Sequence, residues 1–359
     1  MRKSVLLPLL LAAALPALAQ KQYKIAVVGL VHAHVWGHLR DMVKNDPAEL
    51  VGVAEPVQEL VDEAKKAGVA DRLIFSDYKK MLDETKPDIV WSFVENNRHL
   101  EIVQACAPRK INVIFEKPLA STYKDALAIR DLARKHGIQV MTNYQMAWWA
   151  ANYTAYDQAK SGAAGPVYRI RGIVGHGGPG SEGARNKYFF DWLTDPEKNG
   201  AGALMDFGCY NALWSLWYLG RPESVMAQVQ HLRPERFPKV EDNATLLLHY
   251  KNAQGIFEGS WDLPRSFQDL EVFGREGIVY MQNGKVELRK GRNTQEIAIA
   301  PLPPARSKPI AYMVECLRSG KPVEGMTALD INVQVNEIID AAKASIKTGK
   351  PVALPAAAK

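Results

Sequence analysis

The strongest constraint on this chain is an alternation that runs from Tyr23 to Thr142, where short apolar runs take turns with segments of helical spacing. Tyr23 to Gly29, Leu50 to Ala54, Arg72 to Phe75, Asp88 to Phe93, Val113 to Phe115 and Gln139 to Thr142 read as strands. Between them, Val35 to Lys44, Gln58 to Ala67, Tyr78 to Thr85, Leu100 to Ala107 and Lys124 to His136 read as helices. This rhythm predicts an α/β first domain over residues 20–143, a Rossmann-like, doubly wound parallel sheet with right-handed crossovers.

After about Asn143 the rhythm changes. A helix over Tyr153 to Lys160 precedes strands with period-two alternation, among them Val167 to Val174, Val225 to Leu232, Ala244 to Tyr250, Gly255 to Trp261 and Leu270 to Phe273. They predict an α+β second domain over residues 144–300 with a mainly antiparallel open sheet, whose free face is a candidate homo-oligomer interface. Gly175 to Asn199, glycine-rich and carrying Trp192, reads as a long functional or disordered loop. Residues 301–359 supply a proline-rich linker and two helices, Ile310 to Ser319 and Ala328 to Thr348, expected to pack back on the first domain.

The first 19 residues are expected to be removed. Arg2 and Lys3 precede an apolar run from Val5 to Leu18, and Ala17-Leu18-Ala19 has the small-x-small pattern of a signal-peptidase site. The run is short for a membrane span and no cysteine follows it closely, so a periplasmic or secreted chain without a membrane anchor is expected. The formal charge of +6 comes from scattered basic residues, which is no nucleic-acid footprint. Three widely spaced cysteines, Cys106, Cys209 and Cys316, suggest neither a disulfide framework nor a thiolate metal site.

Chemistry-bearing residues gather where the predicted parallel strands end, which is where open α/β sheets bind ligands. Val113-Ile114-Phe115 runs into Glu116-Lys117-Pro118, and the proline forces a turn that holds a lysine at the sheet edge. The turn Gly29-Leu30-Val31-His32-Ala33-His34 keeps only the first glycine of a dinucleotide fingerprint. Glu55, closing the second strand, can accept both ribose hydroxyls and would favour NAD over its phosphorylated form. His32, His34 and His38 can instead share a divalent metal, cap the helix or donate to phosphate. Asn97 and His99 follow another strand end and are candidates for a ribose or a substrate hydroxyl. Asn199 to Tyr210 places Asp206 and Tyr210 four apart, a carboxylate and a phenol suited to proton transfer at a carbonyl. Tyr144, Trp148, Trp149 and Tyr153, with His176, can line a sugar-binding cleft.

These motifs resemble the Gfo/Idh/MocA oxidoreductase family over nearly the whole mature chain. The resemblance is carried by Glu116-Lys117-Pro118, Asn97 with His99, Gly200-Ala201-Gly202-Ala203-Leu204-Met205-Asp206-Phe207-Gly208-Cys209-Tyr210, Glu258-Gly259-Ser260-Trp261 and the tail from Ala342 to Val352. It implies an NAD-dependent enzyme with a small carbohydrate or polyol substrate. Lys117 would contact nicotinamide ribose and substrate, Tyr210 would donate or accept the proton and Asp206 would orient the substrate. Gly29, Val31, His32, Glu55, Asn97, His99 and Glu116 would border the cofactor, and Tyr144, Trp149 and His176 the substrate. No resident metal is expected on this reading. Outside the cytoplasm free NAD should be scarce, which points to a tightly held cofactor recycled within a redox-neutral reaction. The alternatives are a metal-dependent carbohydrate lyase or hydrolase on the same fold, and a non-catalytic sugar-binding module.

Overall fold

A computed structural model describes residues 21–355. The expected signal peptide lies outside the described residues. The first domain runs β1 (Tyr23–Val28), α1 (Val35–Met42), β2 (Ala48–Ala54), α2 (Gln58–Lys66), β3 (Ile74–Phe75), α3 (Tyr78–Thr85), β4 (Ile89–Ser92), α4 (His99–Cys106), β5 (Asn112–Glu116), α5 (Tyr123–His136) and β6 (Val140–Asn143). All six strands are parallel, in the order β3-β2-β1-β4-β5-β6, as a doubly wound sheet requires. Ile25, Val27, Trp91 and Ile114 fill the core on one side of the sheet, and Ala26, Val90, Val113 and Phe115 on the other. Burial on both faces is why these strands read as continuous apolar runs. Asp77 caps α3 through the Lys79 and Lys80 N–H groups, and Thr122 caps α5 through Asp125 N–H.

The second domain adds α6 (Ala150–Lys160), β7 (Val167–Gly175), α7 (Ala184–Leu193), α8 (Ala203–Asp206), α9 (Gly208–Leu219), β8 (Ser224–Gln230), β9 (Asn243–His249), β10 (Gln254–Ser260), β11 (Phe267–Gly274), β12 (Ile278–Gln282), β13 (Lys285–Lys290) and β14 (Asn293–Ile297). After α10 (Pro309–Ser319) and α11 (Leu329–Thr348), β15 (Val352–Ala353) joins a nine-stranded sheet ordered β14-β13-β12-β11-β7-β10-β9-β8-β15. It is antiparallel except for β7 with β10. The face turned to α9 and α11 is packed, whereas Met226 and its partner Leu247 stand exposed on the other.

Three features depart from the sequence expectation. Gly175 to Asn199 is no simple loop, because it contains α7, whose docking is set by tertiary partners. The strands β13 and β14 carry little hydrophobic periodicity because they are largely exposed and polar, and the short β12 pairs with β13. The last helices also divide their packing. Tyr312 and Met313 of α10 join the first-domain core, while Val335, Ile338 and Ile339 of α11 lie in the second-domain core. Helix α11 also places Val333 in the first-domain core, as expected of it, and so ties the two domains together.

Candidate active site

The end of β5 faces the α8–α9 turn across the domain joint. Glu116, paired with Asn143 in register, is fully buried and accepts hydrogen bonds from Asn143 Nδ2 at 2.7 Å and His34 Nδ1 at 2.9 Å. His38 Nε2 lies 3.9 Å from its other side. Burial pushes the Glu116 carboxyl up, but the His34 bond and charge, His38 and Asn143 outweigh it and hold the group below the usual carboxylate range.

Lys117 follows at the turn and forms an ion pair with Asp206, as well as donating to the Asp206 carbonyl at 3.2 Å. The second carboxylate oxygen of Asp206 accepts Trp261 Nε1–H at 2.8 Å. Lys117 Nζ also stands 5.3 Å from the centre of the Tyr210 ring. All three residues are buried. Burial pulls Lys117 down, yet the charge of Asp206 more than restores it, so the net shift is upward. The same pairing holds Asp206 below its ordinary value against the upward push of burial. Burial raises the Tyr210 phenol more than Lys117 lowers it. At neutral pH the group is thus an ammonium, a carboxylate and a protonated phenol.

Asp206 is aimed by the backbone before it. Gly202 N–H and Leu204 N–H both donate to Glu241 Oε1, at 2.8 and 3.0 Å, which caps the α8 turn from the segment just before β9. Lys117, Asp206 and Tyr210 open on a cavity of about 340 Å³ that also takes in His34, Trp149 and His176. His176 Nδ1 accepts Gly178 N–H at 3.0 Å, which leaves Nε2–H as a donor. Its pKa is lowered, mainly by burial, so the ring stays neutral. Trp149 is 41% exposed and borders the cavity mouth.

Tyr144 does not reach the cavity. It is fully buried behind Tyr210, ring edge to ring face at 5.1 Å, because the residue after β6 turns into the second-domain core. Trp148 is likewise structural, donating to Asn143 Oδ1 at 2.7 Å.

A second cavity of about 480 Å³ follows the carboxyl ends of β1 to β4 and is bordered by Gly29, Val31, Glu55, Asp77 and Arg98. Gly29 has φ +79°, and a Cβ there would stand 2.6 Å from Val94 Cγ1. Glu55 is buried, and each of its oxygens takes a backbone N–H, from Leu30 at 2.7 Å and Val57 at 2.9 Å. Each oxygen keeps a second acceptor direction, so Glu55 both braces the turn and offers the carboxylate a ribose needs. A tight glycine turn, an acid closing β2 and an open edge beside them fit the adenosine half of a dinucleotide. The nicotinamide end would then lie toward Lys117.

Asn97 is exposed and its N–H donates to the Lys198 carbonyl; the neighbouring Asn96 is the buried one, bonded to Asn199 Oδ1 at 2.7 Å. His99 is fully buried, stacked on Phe115 at 4.2 Å, with Nδ1 3.0 Å from the Leu119 carbonyl. It braces the turn after Pro118 and borders neither cavity. Burial lowers its pKa to about 4. Because the unfolded chain takes up that proton first, stability falls as pH drops from the ordinary histidine range to about 4. The full effect is about 3 kcal/mol, and His99→Gln should flatten that part of a stability–pH curve measured by urea unfolding.

His32, His34 and Glu116 can bring three ligand atoms within 4.8 Å of one another. His32, however, is buried and its Nδ1 accepts His34 N–H at 3.2 Å. Metal-bound imidazoles ordinarily donate from the second nitrogen, so the arrangement is that of a hydrogen-bonded network. Asn143 and Glu241 carry no sequence signal that marks them as site residues. Trp261 does carry one, as the last residue of Glu258-Gly259-Ser260-Trp261.

Residues 23–144 match the family model described as an oxidoreductase family with an NAD-binding Rossmann fold, and residues 154–280 match the GFO/IDH/MocA C-terminal domain. D-xylose 1-dehydrogenase (NADP(+)) 2 of Haloferax volcanii is 27% identical over 210 residues, covering 57% of this chain and 61% of that protein. Levoglucosan dehydrogenase of Pseudarthrobacter phenanthrenivorans is 26% identical over 278 residues, 66% of this chain and 68% of that protein. Against the xylose dehydrogenase the matched part therefore spans about three fifths of the relative's length. Among solved structures, aldose-aldose oxidoreductase from Caulobacter crescentus, complexed with glycerol, superposes with a TM-score of 0.79 at 20% identity, covering 93% of this chain and 100% of that one. That likeness is one of fold.

Proposed function

Since the chain belongs to the GFO/IDH/MocA oxidoreductase family, we propose that it transfers hydride between NAD and a ring carbon of a sugar, glycoside or polyol. The observation that carries this reading is the buried Lys117–Asp206 pair beside Tyr210, opening on one cavity. Bound NAD would supply the hydride acceptor and donor. Gly29 and Glu55 would hold its adenosine half, and Lys117 its nicotinamide ribose. At the reacting carbon, Lys117 ammonium and Tyr210 phenol are two donors for the substrate oxygen; in ketone reduction Tyr210 gives its proton to that oxygen, and in the reverse direction the Tyr210 phenolate takes it back. Asp206, fixed by Trp261, keeps Lys117 charged and aimed. His176 Nε2–H serves a second substrate oxygen, and Trp149 offers a ring face at the mouth.

We further propose that the cofactor is retained and recycled, as an exported enzyme would require. What supports this is α7, which borders the Lys117 cavity through Phe189 and Leu193 and docks on the first domain beside the Glu55 cavity's Val31. Arg185 pairs with Glu63 at 2.6 Å and lies over the Trp36 ring, Tyr188 donates to Glu59 at 2.8 Å, and Trp192 Nε1–H reaches the Val31 carbonyl at 3.1 Å. Protein purified without added nucleotide and then denatured is expected to release close to one NAD(H) per chain. A nucleotide-free protein that also fails to reduce added NAD with any of D-xylose, levoglucosan or myo-inositol defeats the reading. Exposed pairs contribute about 0.5 kcal/mol each, so Arg185→Ala with Tyr188→Phe should speed NAD(H) loss about 3- to 10-fold in a dilution assay.

A further inference from the structure

We propose that His34, held by Glu116, is a second proton-transfer centre in the cleft, which removes the proton from the carbon next to the ketone of a bound keto-sugar. This rests on the sugar-oxidoreductase reading for its substrate class. It goes beyond hydride transfer, which uses none of these groups.

The geometry is that of a base with a positioning partner. His34 Nδ1 is 2.9 Å from a Glu116 oxygen, and Glu116 is fixed on its other oxygen by Asn143 at 2.7 Å. A buried carboxylate against Nδ1 puts the proton on that nitrogen and leaves Nε2 as an acceptor. His34 is only partly buried and borders the same cavity as Lys117, Asp206 and Tyr210. The sequence position strengthens the case. A dinucleotide fingerprint wants glycine where His34 stands, so an imidazole there displaces a feature that cofactor binding alone would favour. Glu116 in turn is a fully buried charge that hydride transfer does not need. The charged and titratable groups around His34 are Glu116 from β5, His32 from its own turn, His38 from α1, and His176, Lys117, Asp206 and Tyr210 in the same cavity.

The step is balanced without a co-reactant. The C–H bond beside the carbonyl breaks, its proton passes to His34 Nε2, and its electron pair becomes the enolate, whose oxygen takes a hydrogen bond from Tyr210 or Lys117. Return of a proton to the same carbon closes the cycle. In deuterated water the carbon picks up deuterium.

The test is exchange, read by mass spectrometry and NMR, on 2-keto-myo-inositol and methyl 3-keto-β-glucopyranoside in D₂O. Each has C–H bonds on both sides of its carbonyl. The protein as purified should deuterate at least one of them. A general base contributes about 10²- to 10⁴-fold, so His34→Asn should lower exchange at least about 100-fold while NADH-dependent reduction of the same ketone falls less than about tenfold. Added imidazole should restore exchange in His34→Ala. Glu116→Gln, which can keep the Asn143 bond, should shift the pH profile of exchange, an effect that loss of packing alone does not produce. Thermal unfolding of each variant guards against misfolding. Reduction of either ketone without exchange overturns the inference and leaves the oxidoreductase reading intact. Exchange without any hydride transfer does the reverse. Exchange unchanged in His34→Asn, a silent protein with both ketones, or about one divalent metal per chain that is lost with His34, each overturns it.

Discussion

Lys117→Met is expected to lower sugar oxidation and ketone reduction by at least about 10³-fold, combining the loss of a hydrogen-bond donor with the loss of charge at the substrate oxygen. The methionine side chain keeps the length of the lysine stem, so the change falls on the ammonium. It also leaves Asp206 buried without its cation, which costs about 3–5 kcal/mol in such pairs. The two effects separate in a double variant. Lys117→Met with Asp206→Asn removes the unpaired charge and should recover much of the melting temperature while activity stays absent. Asp206→Asn alone should keep a folded protein with a displaced Lys117, seen as a raised KM together with a lower kcat. If Lys117→Met retained more than a tenth of wild-type kcat, the assignment of Lys117, and with it the reading of the cleft, would fall. Acid should act on the same pair. Asp206 titrates below its unfolded value, so its contribution is full above about pH 4 and is lost as pH falls through the folded value.

The second large effect is structural and sits upstream of the first. Gly202→Ala should destabilise the protein by about 3 kcal/mol or more, since overpacking against fixed backbone lies at the upper end of such costs. A Cβ on Gly202 would overlap the Glu241 carbonyl oxygen and stand 3.0 Å from Val240 Cβ. The same loop carries the N–H groups that Glu241 caps, so any shift that relieves the overlap swings Asp206 away from Lys117. Gly37→Ala is the matched control. It lies inside α1 with nothing within 4 Å of its Cβ position, and should be neutral or stabilising by up to about 1 kcal/mol. Urea unfolding of both variants measures the contrast, and equal stabilities would show that the α8 turn does not depend on close approach to Val240 and Glu241.

Much of the first domain was legible because local and global signals agree there. The helix over Tyr78 to Thr85 has an Asp at its cap, and Gly137 follows the last residue of α5 in the left-handed conformation. The motif ending at Lys117 announced a strand and a turn together. By contrast, Tyr144 belongs to an aromatic group whose pattern suits a cleft, and composition cannot say which ring of such a group is turned inward. The segment holding α7 offered glycines and no clean helical stripe, since what holds it is Glu59, Glu63 and Trp36 more than 100 residues earlier.

What the sequence determined by itself were periodicities and terminations: six parallel strands, their order of appearance, the turns that deliver Gly29, Glu55 and Lys117 to one edge, and the four-residue spacing of Asp206 and Tyr210. These follow from burial and backbone sterics acting over a few residues. Only the tertiary structure decided partners. It joined Lys117 to Asp206 across 89 positions, His34 to Glu116 across 82, and Asp206 to Trp261 across 55. Such pairs form because a buried charge or ring N–H must find a counterpart wherever folding brings one, and no local pattern in the chain records where that will be.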